Sequence, residues 1–260
     1  MEELIQVTKQ DGIAEVALNR PEAFNAFNLE VISSLTKQLT RLATDHTVKG
    51  LVLTGKGKAF CAGGDLRWAL QFSDTYASSF HTLASQFNCT VTEIRRMKKP
   101  IIAAINGAAA GGGFSLALAC DFRVMEKSAV MRQAYTSNGL CIDGGGSFIL
   151  PRIVGMARAM EIMAFDRPIT AAQALDWGLA TKVVEDGKAP EEAGNMLKEL
   201  IKGSMHSFGW SKKLITDSFS NTFEFQIEME RDGLADCAEH PDGQEGLKAF
   251  AEKRKPQFRA

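Results

Sequence analysis

One carboxylate stands alone in SNGLCIDGGGSFILPR, residues 137–152, where Asp143 falls between an apolar run and three glycines. Charge is costly to desolvate, so the mostly apolar neighbours from Leu140 to Ile149 would raise the pKa of Asp143 and make it a stronger base than in water. A helix starting just after it would oppose that shift. Asp before GGGSFIL is also a good helix N-cap, a purely structural role. Two more glycine turns lie upstream, AFCAGGDL at 59–66 and GAAAGGGFSLALACD at 107–121. Glycine lets backbone approach a ligand closely and can leave N–H groups unpaired. In the second turn those amides would open a helix, where the aligned peptide dipoles favour negative charge. Two amides converging from separate turns would make an oxyanion hole, and an acid beside it would complete a proton-transfer site.

Other chemistries find less support. Neither glycine turn has the GxxxxGK[ST] spacing that cradles phosphate, nor the dinucleotide GxGxxG. His81 and His206 lack a serine or cysteine partner at a recognisable spacing and read as surface or packing residues. Cys61 and Cys141 flank the presumed pocket and read as small apolar fillers. The five cysteines show no CxxC or Cys/His metal spacing, so free thiols in a reducing compartment are expected and zinc is not.

The elements that must carry these residues follow from periodicity. LIQVTKQDGIAEVALN alternates around a DG pair and predicts a hairpin opening a sheet. Asn28 should cap a helix in which Val31, Ile32, Leu35, Leu39 and Leu42 recur at helical spacing. KGLVLTG and PIIAAING read as buried strands, with a loose stretch at 55–75 and a helix ending near Met97 between them. This alternation predicts an α/β chain with a largely parallel sheet. Beyond residue 155 the helical signals dominate: ARAMEIMAF, TAAQALDWG with a Thr170–Gln173 capping box, EEAGNMLKELIKG, and two long amphipathic stretches from 207 to 254.

The 260 residues are 45% hydrophobic, enough for one sizeable core. Thirty basic residues are scattered against 31 acidic ones, which argues against nucleic acid as a partner. The N-terminus MEELIQVTKQ is acidic and polar, and no apolar run approaches 18 residues, so a cytoplasmic protein without membrane attachment is expected.

Taken together, RPEAFNAFN, AFCAGGDL, KPIIAAINGAAAGGGFSLALACDFRV, GLCIDGGGSFILPRIVG, ITAAQALDWGLATKVV and EGLKAFAEKRKPQF resemble the crotonase superfamily, the enoyl-CoA hydratase/isomerase proteins, from about residue 3 to 258. The resemblance implies a crotonase-like spiral of ββα units over residues 1–200 and a C-terminal helical trimerisation region at 201–260. It further implies acyl-CoA thioester substrates, coenzyme A as part of the substrate rather than a cofactor, no metal, and a homotrimer or dimer of trimers. The oxyanion amides map onto Gly64 and Gly112. The adenine maps near Ala62, Asp65 and Leu66, the pantetheine along Phe24 to Ala26, and the nucleotide contacts of the C-terminal segment onto Phe250 and Lys253. A basic residue common near position 23 is here Ala23.

Hydratases of the family carry two glutamates, which fall here at Ser115 and Tyr135. Asp143 remains, in a form that resembles the ring-opening isomerases of phenylacetate degradation. The resemblance thus implies an acyl-CoA isomerase with Asp143 as acid/base. Two alternatives stand beside it: a hydratase using Asp143 aided by Tyr135 or Ser115, and a non-catalytic CoA-binding scaffold. Residues 66–92 carry Trp68, Phe72, Tyr76, Phe80 and Phe87 and are expected over the acyl pocket, although a stripe of this kind is more often ordinary core.

Overall fold

At the first turn, Asp11 and Gly12 both take positive φ, 51° and 77°. They fold β1 (Ile5–Gln10) back onto β2 (Ile13–Leu18) as an antiparallel pair, as the DG signal predicts. Asn28 accepts the Val31 amide at 2.9 Å and starts α1 (Leu29–Thr44). The buried face of α1 is Val31, Ile32, Leu35, Leu39 and Leu42, the set read from its period. These elements open a computed structural model that describes residues 3–72 and 75–258.

One unit then repeats. β3 (Gly50–Gly55) enters a large sheet, β4 (Ala59–Cys61) crosses to a smaller one, and α2 (Leu66–Phe72) and α3 (Tyr76–Arg96) follow. β5 (Ile101–Ile105) and β6 (Ala108–Ala110) repeat the crossing before α4 (Gly112–Ala119). β7 (Phe122–Glu126) and β8 (Val130–Arg132) repeat it before α5 (Gly146–Phe165). The chain continues through β9 (Ile169–Thr170), α6 (Ala171–Asp176), β10 (Lys182–Val184) and α7 (Ala189–Leu200). It ends in α8 (Met205–Asp217), α9 (Phe223–Glu239) and α10 (Pro241–Ala251). The large sheet runs β1-β2-β3-β5-β7-β10, parallel from β2 onward, and the small one β4-β6-β8-β9. This is the α/β spiral of ββα units that the motifs imply. β3 and β5 are buried at every position, as parallel strands covered on both faces must be.

The structure adds what periodicity misses. β4 and α2 occupy the stretch expected to be loose, and β6 splits the expected strand-to-helix turn. Strands of three residues are too short to show a period of two. The two stretches expected from 207 to 254 are three helices, because Pro241 cannot continue α9 and instead opens α10 behind the His240 cap. The Thr170–Gln173 capping box is present.

α8 is tied to the core by a buried cation. Lys212 Nζ donates to Ile94 O at 2.9 Å, Lys99 O at 3.2 Å and Asp121 Oδ2 at 2.8 Å, while Asp121 also accepts the Ile101 amide. Asp121 therefore serves structure. Removing one partner of such a pair leaves an uncompensated charge indoors. Lys212→Ala should cost about 3–5 kcal/mol, read as a lower urea midpoint at unchanged slope. A loss under about 1 kcal/mol would show that the pair does not anchor α8.

Candidate active site

The first of the two expected amide positions is built by β geometry. Phe27 N–H donates to Gly63 O at 2.8 Å and Asp65 N–H donates to Phe27 O at 2.9 Å, a parallel bridge centred on Gly64. In that pattern the flanking residues supply the bonds, so the N–H of Gly64 itself points away from Phe27. Gly112 is the first residue of α4, whose N–H has no intrahelical acceptor and lies at the positive end of the helix dipoles. Gly64 and Gly112 line the same cavity, of about 370 Å³. The two turns touch backbone to backbone. A Cβ on Gly63, at φ 92°, would lie 2.7 Å from Gly112 N, and one on Gly113 would lie 2.0 Å from Cys61 O.

The segment beneath this bridge is stapled by Asn25, fully buried at φ 58°. Its side chain donates to Lys56 O and Ala59 O at 2.9 and 2.7 Å and accepts the Arg20 amide at 2.9 Å. Arg20 Nη1 spans Ala26 O at 3.1 Å and Asp65 Oδ2 at 2.6 Å. Asp65 also accepts the Trp68 amide at 3.1 Å, where α2 begins. Burial works to raise the Asp65 carboxyl, but Arg20 and the α2 amides hold it below the ordinary range. Its carboxylate is thus committed to structure. Sequence reasoning missed Arg20 and Asn25; both sit in RPEAFNAFN, and Asn before Ala with tolerance for positive φ was the available signal.

Asp143 also faces the cavity. Tyr135 donates its hydroxyl to Asp143 Oδ1 at 2.5 Å, and Ser115 Oγ lies 3.2 Å from the same hydroxyl. Burial raises the Asp143 carboxyl above its ordinary value, and the Tyr135 hydrogen bond opposes this. The N-cap alternative is corrected: Gly145 is the N-cap of α5 and no side chain caps it, while Asp143 bends off the helix line through Gly144 at φ 56°. Gly144 is obligatory there, since a Cβ would lie 2.2 Å from the Phe87 ring. Among the described residues Asp143 is the only carboxylate lining the cavity.

Of the remaining expected contacts, Ala62, Leu66 and Tyr135 line the cavity. Ser115 does not; it is fully buried and reaches the site only through Tyr135. Phe24 is exposed and its carbonyl accepts the Ala62 amide at 3.0 Å, but neither Phe24 nor Ala26 lines the cavity. Phe250 and Lys253 lie at the end of α10, and neither lines this cavity. Phe80 lines it as expected from the aromatic stripe, but Phe87 is buried against Phe27 and Trp68 stacks on Phe72. His81, read as a surface or packing residue, belongs to the cavity wall instead, and Cys141 lines the cavity that it is expected to flank. His206 pairs with Asp236 at 2.6 Å, far along the chain from the site. Cys61 is buried beneath the first turn, its thiol pushed up to about 12 by burial. No group of three His, Cys, Asp or Glu among the described residues is placed to hold a metal ion, and no helix is long and apolar enough to cross a membrane.

The family model for enoyl-CoA hydratase/isomerase matches residues 8–260. The chain belongs to the enoyl-CoA hydratase/isomerase family. Among its relatives, the 1,2-epoxyphenylacetyl-CoA isomerase of Escherichia coli K12 is 35% identical over 99% of both chains. A probable enoyl-CoA hydratase of Rhodobacter capsulatus is 36% identical over 95% of both. The crystal structure of an enoyl-CoA hydratase from Polaromonas sp. JS666 superposes with a TM-score of 0.91 at 36% identity, covering 98% of this chain and 99% of that one. The crotonase fold is therefore shown, and both a named isomerase and a named hydratase stand among the chain's relatives.

The raised Asp143 carboxyl also has a thermodynamic consequence. Between the ordinary value of 3.8 and the higher folded one, the folded chain binds more protons than the unfolded chain, so stability falls as pH rises through that window. Asp143→Asn abolishes this titration. Thermal denaturation should find the variant more stable than the parent at about pH 7, with the gap closing below about pH 4. A gap independent of pH would contradict the assignment.

Proposed function

We propose that this enzyme shifts a carbon–carbon double bond in an unsaturated, possibly ring-derived, acyl-CoA. One observation carries the reading: among the described residues a single carboxylate, desolvated and unpaired with any cation, shares its cavity with two main-chain amides that have no backbone partner. In a 3-enoyl thioester, Asp143 removes a proton from the carbon next to the carbonyl. The C–H electrons form the enolate, and negative charge develops on the thioester oxygen, where the N–H groups of Gly64 and Gly112 receive it. Each such donor is worth roughly 100- to 1,000-fold in rate. The proton returns at the fourth carbon, and the double bond moves into conjugation. No second acid is required, in keeping with Ser115 and Tyr135 at the two glutamate positions of a hydratase.

Incubation with a 3-enoyl-CoA should give the conjugated 2-enoyl-CoA without uptake of water. Asp143→Asn should lower turnover by roughly 100- to 10,000-fold while acyl-CoA still binds. Formation of 3-hydroxyacyl-CoA from a 2-enoyl-CoA at a comparable rate would favour hydration, and turnover indifferent to Asp143→Asn would favour a scaffold.

The reading extends to assembly. α8 to α10 leave Phe219, Phe223, Phe225, Leu234, Leu247 and Phe250 exposed, Phe250 at 86%. Apolar surface of this extent marks an interface. In our reading residues 201–260 are the trimerisation region, and Phe250 and Lys253 meet the CoA of a neighbouring subunit. Light scattering should give a mass of three or six 28.3 kDa chains. A monomer at micromolar concentration would refute it.

A further inference from the structure

We infer that Tyr135 is the positioning residue of this site: its phenol holds Oδ1 of Asp143, so that Oδ2 alone carries the proton between the two carbons. The inference rests on the isomerase reading above.

The direction of the hydrogen bonds follows from counting protons. A phenol has one, and at 2.5 Å Tyr135 gives it to the carboxylate. Its oxygen can then only accept, so the Ser115 hydroxyl at 3.2 Å must be the donor. The chain runs Ser115 to Tyr135 to Asp143. Among the described residues Ser115 Oγ has no other side-chain partner and no side chain donates to Asp143 Oδ2; the Asp143 main-chain amide adds a hydrogen bond to the carboxylate and to the phenol. Burial, with the charge of Asp143 behind it, pushes the Tyr135 phenol far above its ordinary value, so Tyr135 keeps its proton throughout.

The consequence for the reaction is specific. When a substrate C–H bond breaks, the new O–H bond forms on Oδ2, because Oδ1 is already an acceptor. In the second step that O–H bond breaks and a C–H bond forms at the other carbon, with no net exchange with Tyr135 or Ser115. The proton therefore tends to travel within one molecule of substrate.

Tyr135 is fixed independently of Asp143, which is what a positioning residue requires. Its N–H donates to Gln133 Oε1 at 3.2 Å, and its carbonyl accepts the Asn138 and Leu140 amides at 2.9 and 3.0 Å. The preceding amide, of Ala134, donates to Asp166 Oδ1 at 2.8 Å. The residue as a whole is 7% exposed.

The test compares the full-length protein with Tyr135→Phe and Ser115→Ala. The carboxyl of Asp143 is titrated by infrared spectroscopy, its band assigned by loss in Asp143→Asn. Removing the phenol withdraws a hydrogen bond that favours the charged form, so the midpoint should move to higher pH, and the acid limb of kcat/KM should move with it. kcat should fall roughly ten-fold or more with KM little changed, and less deuterium from a 2-deuterated 3-enoyl-CoA should reach the product. Ser115→Ala should shift the midpoint the same way by less, and it carries the test alone if Tyr135→Phe does not fold. A carboxyl midpoint and acid limb unmoved in whichever variant folds would overturn the inference, since a merely structural tyrosine would alter stability and leave both in place. Failure of the isomerase reading shows separately, as undiminished turnover in Asp143→Asn, on which the carboxyl titration does not depend.

Discussion

The site depends on two stretches of main chain lying closer than any side chain would allow. Gly63 rests against the Gly112 amide and Gly113 against the Cys61 carbonyl, with no room for a Cβ at either contact. Only this approach brings an amide from the first turn and an amide from a helix start to one cavity. The sheets make the approach possible: β4 and β6 are neighbours in the small sheet, so the turns that follow them leave side by side. The Phe27 bridge then rotates Gly64 so that its N–H is not consumed by the strand.

The carboxylate of the cavity comes from a different layer of the fold. Asp143 sits at the entrance to α5, fixed by the Gly144 contact with Phe87, and Phe87 in turn packs on Phe27 under the first turn. The Asp143 turn and the first glycine turn therefore rest on one pair of packed aromatic rings. Charge indoors is tolerable because a phenol supplies one hydrogen bond and the cavity supplies room for water or substrate at the other oxygen. Surrounding the acid with further cations would stabilise it and make it a poorer base.

Much of this was legible in the sequence, for physical reasons that differ by element. α1 has five buried positions at one period, and a repeated signal survives the loss of any single residue. The glycine turns were visible because glycine is the one residue whose absence of side chain is itself the information. β4, β6 and β8 were not, since three residues have no period and their pairing is decided by distant partners. The double role weighed for Asp143 resolved toward the cavity because Gly145 serves as the helix cap, an outcome set by positive φ at two adjacent glycines and not by the aspartate. Ser115 was expected in contact with substrate and lies one side chain behind it; which of two neighbouring hydroxyls stands in front depends on the burial of α4.

That one half of the cavity's polar lining is main-chain amide and the other half side chain gives the two halves unequal histories. Every amino-acid-changing substitution in a glycine codon adds bulk at a contact with none to spare, so the amide pair can be lost but not readily varied. The positions now held by Ser115, Tyr135 and Asp143 can exchange acids, hydroxyls and apolar groups while the amides stay in place. A lineage with this architecture is free to vary its chemistry one side chain at a time, keeping its amide pair throughout.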